Sequence, residues 1–164
     1  MLVQLIYRSR SQQRFGAQAL RELGAELTQR NRDLQLRGLL LYDGSYFLQV
    51  LEGQAQTVDR VYQSLSADAR HTDIVLLLRD PIPRSHFDDF RMDIVDVRDV
   101  QRAHSAANAA QRMRNLGLHW NQDHRFARII EAFVQGRWRD AVPALGGPAG
   151  TAGPSTSGEA SGPR

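Results

Sequence analysis

The stretch QLRGLLLYDGSYFLQVLEG, residues 35 to 53, constrains this chain more than any other. Asp-Gly between two apolar runs is a strong hairpin signal, because glycine takes the positive φ that a tight turn demands. Residues 35–42 and 45–52 are therefore expected to lie side by side as antiparallel strands about Asp43-Gly44. Alternation along the second strand puts Tyr46, Leu48 and Val50 on one face and Phe47, Gln49 and Leu51 on the other. Gln49 then sits among apolar neighbours, where an amide is costly unless something satisfies it. A nearby backbone group or side chain would do so, and the run itself does not say which.

Around the hairpin the periodicity alternates between strand and helix. Residues 2–9, LVQLIYRS, read as a first strand with Val3, Leu5 and Tyr7 on one face. From Phe15 to Arg30, Leu20, Leu23 and Leu27 recur at helical spacing. After Gly53, Val58, Val61, Tyr62 and Leu65 mark a second helix ending near Ala67, and IVLLLRD at 74–80 is a strand closed by Pro81 and Pro83. MDIVDV at 92–97 alternates as a fifth strand. The order βαββαβ, with one strand added, predicts an α+β fold: a ferredoxin-like mixed sheet carrying two helices on one face.

Beyond Arg98 the chain becomes alanine-rich, with Val100, Ala103, Ala107, Ala110 and Arg114 at helical spacing. A further helix, His124 to Arg139, sets Phe126, Ile129, Ile130, Phe133 and Trp138 largely along one side. These helices need a cover, and the bare side of the sheet or another subunit would each serve. From Pro143 to Arg164, 15 of 22 residues are Gly, Pro, Ser or Thr, so a disordered tail is expected. Three parts follow: a core domain over 1–97, a helical extension over 98–142 and the tail over 143–164.

Composition removes several functions. There is no cysteine among the 164 residues, hence no disulfide, thiolate metal site or thiol nucleophile. Glycine-rich phosphate loops and the GxSxG and HExxH patterns are missing. The histidines (71, 86, 104, 119, 124) lack metal-ligand spacing, and no metal is expected. A net charge of +3 is a mild balance that calls for neither nucleic acid nor membrane, and Arg125, Arg128, Arg137 and Arg139 read as a solvated face. No run reaches the ~18 apolar residues of a membrane span, and MLVQLIYRS lacks a leader pattern, so a cytoplasmic setting is expected. Tyr7, mid-strand among aliphatics, needs a partner for its hydroxyl, and a core glutamine would suffice. Asn31 reads as a helix cap, and Asp68, Arg70 and His71 as a solvated exit from the second helix.

Taken together, LIYRS at 5–9, RNRDLQLRGLLLY at 30–42, YFLQVLEG at 46–53, DARH at 68–71 and FDDFRM at 87–92 resemble the BLUF family of flavin-holding blue-light sensors. The resemblance covers about residues 1–97 and implies the same ferredoxin-like fold. It implies FAD, or else FMN, as cofactor. Tyr7 matches the family's photoactive tyrosine and Gln49 the glutamine between that tyrosine and the flavin edge. Met92 matches the methionine near that glutamine, and Asn31 the asparagine that bonds the ring edge. Asp68, Arg70 and His71 fall in the segment lining the cofactor, and Leu23, Leu27 and Val61 to Leu65 would supply apolar walls.

Two positions depart from the family pattern. Phe90 stands where the family often has tryptophan, so a signalling step needing an indole N–H is unavailable. Arg37 stands where a small residue is common, and its long side chain must point out or reach a neighbour. Trp120 and Trp138 lie outside the matched region. The resemblance implies a sensor of the short, stand-alone type rather than an enzyme, with output through self-association or an unidentified downstream protein. Phe90, Met92, Phe133 and Trp138 are the expected relay. Two rivals remain open on the residues alone: a flavin-free interaction module of the same fold, and a flavin enzyme.

Overall fold

The computed structural model describes residues 1–87, 92–102 and 124–137. Its elements are β1 (Leu2–Ser11), α1 (Ala17–Asp33), β2 (Arg37–Tyr42), β3 (Tyr46–Gln54), α2 (Ala55–Ser64) with a 3-10 turn at Leu65–Ala67, β4 (His71–Pro81), β5 (Met92–Asp96), α3 (Val97–Arg102) and α4 (His124–Val134). The sheet order is β4-β1-β3-β2-β5. Its neighbours are antiparallel except β2 and β5, which run parallel. This is the ferredoxin-like mixed sheet, with the fifth strand added beside β2.

The hairpin forms where the turn chemistry put it. Gly44 takes φ 99°, and the Asp43 carboxylate accepts from the backbone N–H groups of Ser45 (2.9 Å) and Tyr46 (2.7 Å). Tyr42 then pairs with Phe47, Leu40 with Gln49 and Leu39 with Val50.

Both sheet faces are buried, which is why the hairpin strands are apolar almost throughout. Leu20, Leu23 and Leu27 of α1 and Val58 and Val61 of α2 pack on Val3, Leu5, Tyr7, Phe47 and Leu51. On the opposite face Phe126, Ile130, Phe133 and Val134 of α4 cover Ile6, Leu39, Leu41, Leu48 and Val50. Of the two covers considered for the C-terminal helix, the sheet's own bare face is therefore the one used. Each α4 side chain buried this way stabilises the docking by about 1.5–3 kcal/mol before ordering costs.

Several boundaries differ from the expectation, among them α4, which ends at Val134 rather than running on toward Arg139. α1 continues to Asp33, so Asn31 is no cap: it is fully buried within the last turn, and its carbonyl accepts from Leu36 N–H at 2.7 Å. β4 starts at His71 rather than 74, because pairing with β1 resumes at Ser11 after two register shifts, with Asp73 at φ 48°. β5 ends at Asp96, whose carboxylate accepts from Arg98 N–H at 3.0 Å and so starts α3. Phe90, Trp120, Trp138 and the tail lie outside the described residues.

Candidate functional site

Tyr7 on β1 and Gln49 on β3 are directly opposite in the antiparallel ladder, and both side chains project toward the helices. Tyr7 is fully buried and Gln49 is 2% exposed. The Tyr7 hydroxyl donates to Gln49 Oε1, and Gln49 Nε2 donates to Met92 Sδ at 3.9 Å. The amide is thus satisfied at both ends, by a phenol from one neighbouring strand and a thioether from β5. Met92 reaches the site because Gly38, its partner on β2, has no side chain: a Cβ there would stand 3.1 Å from Met92 Cε and 2.4 Å from Val50 O. The Thr28 hydroxyl of α1 donates to Met92 O at 3.1 Å and accepts from Met92 N–H at 3.4 Å, which fixes the strand under the helix.

Burial pushes the Tyr7 phenol far above its ordinary value of 10, against the opposing pull of the Arg30 charge. Tyr7 is therefore a neutral donor throughout the physiological range. Its ring meets that of Tyr62 on α2 at 5.6 Å between centroids, tilted by 59°.

Leu23, Leu27 and Asn31 recur every fourth residue on the buried stripe of α1. Val61 and Leu65 face them in the same cluster. Of the segment between α2 and β4, Asp68 and Arg70 mainly bind each other. Arg70 Nε and Nη2 donate to the Asp68 carboxylate at 2.8–3.1 Å, and Nη1 crosses to Glu26 on α1 at 3.1 Å. That hydrogen-bonded guanidinium lowers the Asp68 carboxyl to about 2. His71 lies inside, its Nδ1 2.7 Å from Ser9 Oγ and its ring 5.3 Å from that of Phe47. Burial lowers its pKa below 6.5, reinforced by Arg70 and Arg30 and opposed by Asp68.

The sequence reading missed Arg30. Its Nε is buried without a hydrogen-bond partner among the described residues, and its charge reaches Tyr7 and His71. The neighbouring Asn31 was the only available signal, since an arginine beside a helix end reads as exposed. Arg37 is half-buried and lies opposite Glu52 on the far face of the sheet, away from this site. Phe133 is 1% exposed against that same far face. Among the described residues no three His, Asp or Glu side chains are placed to hold a metal, and no helix is long and apolar enough to cross a membrane.

Comparison with known proteins agrees with this geometry. The blue light- and temperature-regulated antirepressor BluF of Escherichia coli K12 is 36% identical over 102 residues, which are 62% of this chain and 25% of the relative. The photoactivated adenylate cyclase subunit beta of Euglena longa is 32% identical over 93 residues, 56% of this chain and 11% of that one. The chain thus spans a quarter or less of these relatives. Among solved structures, the BlrP1 BLUF domain has a TM-score of 0.71 at 29% identity, covering 88% of this chain and 97% of its own. The BLUF protein BlrB in its dark state has a TM-score of 0.60 at 27% identity, covering 82% and 96%. Klebsiella pneumoniae BlrP1 with FMN and cyclic diGMP has a TM-score of 0.73 at 29% identity, covering 87% of this chain and 37% of its own. The family model for sensors of blue light using FAD matches residues 2–93, more than half of the sequence. The matched domain is a sensory module rather than a catalytic one, and the chain belongs to the BLUF family.

Proposed function

We propose that this chain is a blue-light photoreceptor whose switch is Tyr7, Gln49 and Met92 and whose chromophore is FAD, with FMN as the alternative flavin. The observation that carries the reading is the buried hydrogen-bonded path from the Tyr7 hydroxyl through the Gln49 amide to Met92 Sδ, inside a domain of a family that senses blue light with FAD. The residues present fit a flavin, which needs apolar walls and a few polar groups for its edge. Leu23, Leu27, Val61 and Leu65 are the walls, each under 8% exposed. Asn31 and Gln49 offer amides to the edge, and the buried Arg30 Nε is a donor awaiting an acceptor. Asp68, Arg70 and His71 close the end of the slot. Bound flavin supplies the blue-light absorption and, once excited, an electron acceptor.

The remaining steps belong to the protein. Tyr7 cannot lose its proton alone, because burial holds it far above 10. Loss of an electron turns the phenol into a strong acid, and its proton already lies on the hydrogen bond to Gln49 Oε1. The electron would go to the bound flavin and the proton would follow along that hydrogen bond through Gln49; both return to Tyr7, so no net redox change remains. Gln49 stays altered: rotation or tautomer exchange swaps the roles of its two ends. Rotation would put oxygen in place of the amide N–H at the end facing Met92, and tautomer exchange would leave an imine nitrogen there, so the contact with Sδ changes by either route and β5 receives the change.

Output would pass from β5 into the helical extension over 98–142, with Phe90, Met92, Phe133 and Trp138 as relay residues and 143–164 as a tail outside the sensor. The names of the relatives, an antirepressor and adenylate cyclase subunits, support a sensor that acts on another protein or through an oligomer. A cytoplasmic setting fits such a role.

The test is optical. Protein loaded with FAD should be yellow, and blue light should shift its absorption to the red, reversibly in darkness. Tyr7→Phe should stay yellow and lose the shift. Protein that takes up no flavin, or a Tyr7→Phe variant that responds as before, rejects the reading.

A further inference from the structure

A groove of about 540 Å³ runs between α1 and the open edge of β5, outside the slot described above. Met92 and Leu20 form its buried floor, Gly24, Thr28 and Ile94 its half-buried sides, and the α1 residues Arg21 and Arg32 its exposed rim. Among the described residues β5 is an edge strand: β2 lies on one side and no strand on the other. The Thr28 hydroxyl bonds both the N–H and the C=O of Met92, so that residue's backbone faces the open side. Strand alternation turns the backbone of Ile94 the same way. One rung is therefore already closed by a side chain, while the next faces the groove. An edge beside a helix is the geometry in which extended peptides add a strand.

The charges choose the occupant. Arg32 stands at the Met92 end, where the lining contains no acidic residue, and among the described residues it makes no ion pair. At the other end Arg21 shares the lining with Asp99 and with Asp96, whose carboxylate is held by Arg98 at 2.7 Å. The basic end thus calls for a carboxylate, and the mixed end makes little demand. The chain's own tail is a poor candidate, since residues 143–164 hold one acidic residue, Glu159, and four prolines.

We propose that the α1/β5 groove docks an extended acidic segment of a partner protein, added as a strand to β5 with a carboxylate on Arg32. The dark affinity stands on geometry alone. Regulation by light rests on the photoreceptor reading: Met92 is both the groove floor and the contact of Gln49, so a change in that contact alters what the segment lies upon.

The probe is a blocked peptide of alternating valine and glutamate, titrated into flavin-loaded full chain and followed by backbone amide NMR. In the dark, shifts should be confined to β5 and the exposed side of α1. Binding should be about tenfold weaker when lysine replaces glutamate, and also in Arg32→Glu. Ile94→Pro removes the outward N–H without touching the β2 ladder and should abolish the β5 shifts. Shifts centred elsewhere, or equal binding of both peptides, overturn the proposal. Blue light should change the peptide affinity severalfold, and an unchanged affinity in a protein that does red-shift overturns the regulation. Absence of the red shift, with dark binding intact, overturns the photoreceptor reading and leaves the groove standing.

Discussion

Gly38→Ala is the sharpest test of how the switch is packed. An added Cβ would stand 2.4 Å from the Val50 carbonyl oxygen, 3.1 Å from Met92 Cε and 3.3 Å from Met92 Sδ. The methionine can swing aside, but the carbonyl belongs to the central strand, in a ladder where Gly38 pairs with Leu51 and Leu39 with Val50. Relief thus requires β2 to move against β3 by several tenths of an ångström between two packed layers. Overpacking of this kind costs about 2–3 kcal/mol. For a chain of this size that is a fall in Tm of roughly 4–12 °C. Gly24→Ala on α1 is the matched control. There the Cβ meets Ile94 Cδ1 at 3.2 Å, the end of a flexible side chain, and alanine favours the helix. That variant should gain about 0.5 kcal/mol. Urea denaturation of both, with the flavin spectrum recorded alongside, is the assay. If Gly38→Ala is as stable as Gly24→Ala, the account of Gly38 as the position that admits Met92 beside Gln49 is wrong.

Gln49→Leu should fold and bind flavin but lose the light-induced red shift, since no amide remains to exchange its ends. It leaves the Tyr7 hydroxyl buried without its acceptor, so denaturation should report a loss of about 1–3 kcal/mol. A Gln49→Leu protein that still red-shifts would remove the amide from the mechanism. Alkali supplies a separate test: the unfolded chain's tyrosines lose protons near 10, while Tyr7 in the fold keeps its own. Stability is full below pH 10 and should decline above it by up to about 1.4 kcal/mol per pH unit from this group. Tyr7→Phe should flatten the decline by that amount. At the acid end the Asp68 contribution is present above its unfolded value of 3.8 and is lost as pH falls toward about 2, a limb that Asp68→Asn should erase.

Much of this could be read in the chain because the decisive signals are local. Asp43-Gly44 set the hairpin, and the period-two alternation of YFLQVLEG assigned Gln49 to the face it occupies. The leucines of α1 and the apolar positions of α2 chose their buried stripes in the same way. What escaped depended on partners far along the chain. Asn31 read as a cap because nothing local says that α1 runs on to Asp33 and turns that amide inward. Arg30 gave no signal, because the groups its charge reaches, Tyr7 and His71, come from other elements.

The buried Glu52 makes the same point on the far face. Its carboxylate accepts from Gln4 Nε2 (2.7 Å), Ser85 Oγ (2.7 Å) and His86 N–H (2.8 Å), and the His86 ring meets that of Phe126 of α4 at 5.2 Å, tilted by 37°. Glu52 lies 48 residues from Gln4 and 34 from His86, so no periodicity could announce the cluster. Propensity and alternation act within a few residues, so the order of elements, the turn and the inward face of each were legible in the chain. That the Gln49 amide is held between a phenol and a thioether, that α4 covers the sheet's second face, and that β5 is an edge strand among the described residues became visible only in the folded molecule. Each of those depends on which strands become neighbours, and strand order is set by packing the whole sheet between its two layers of helices.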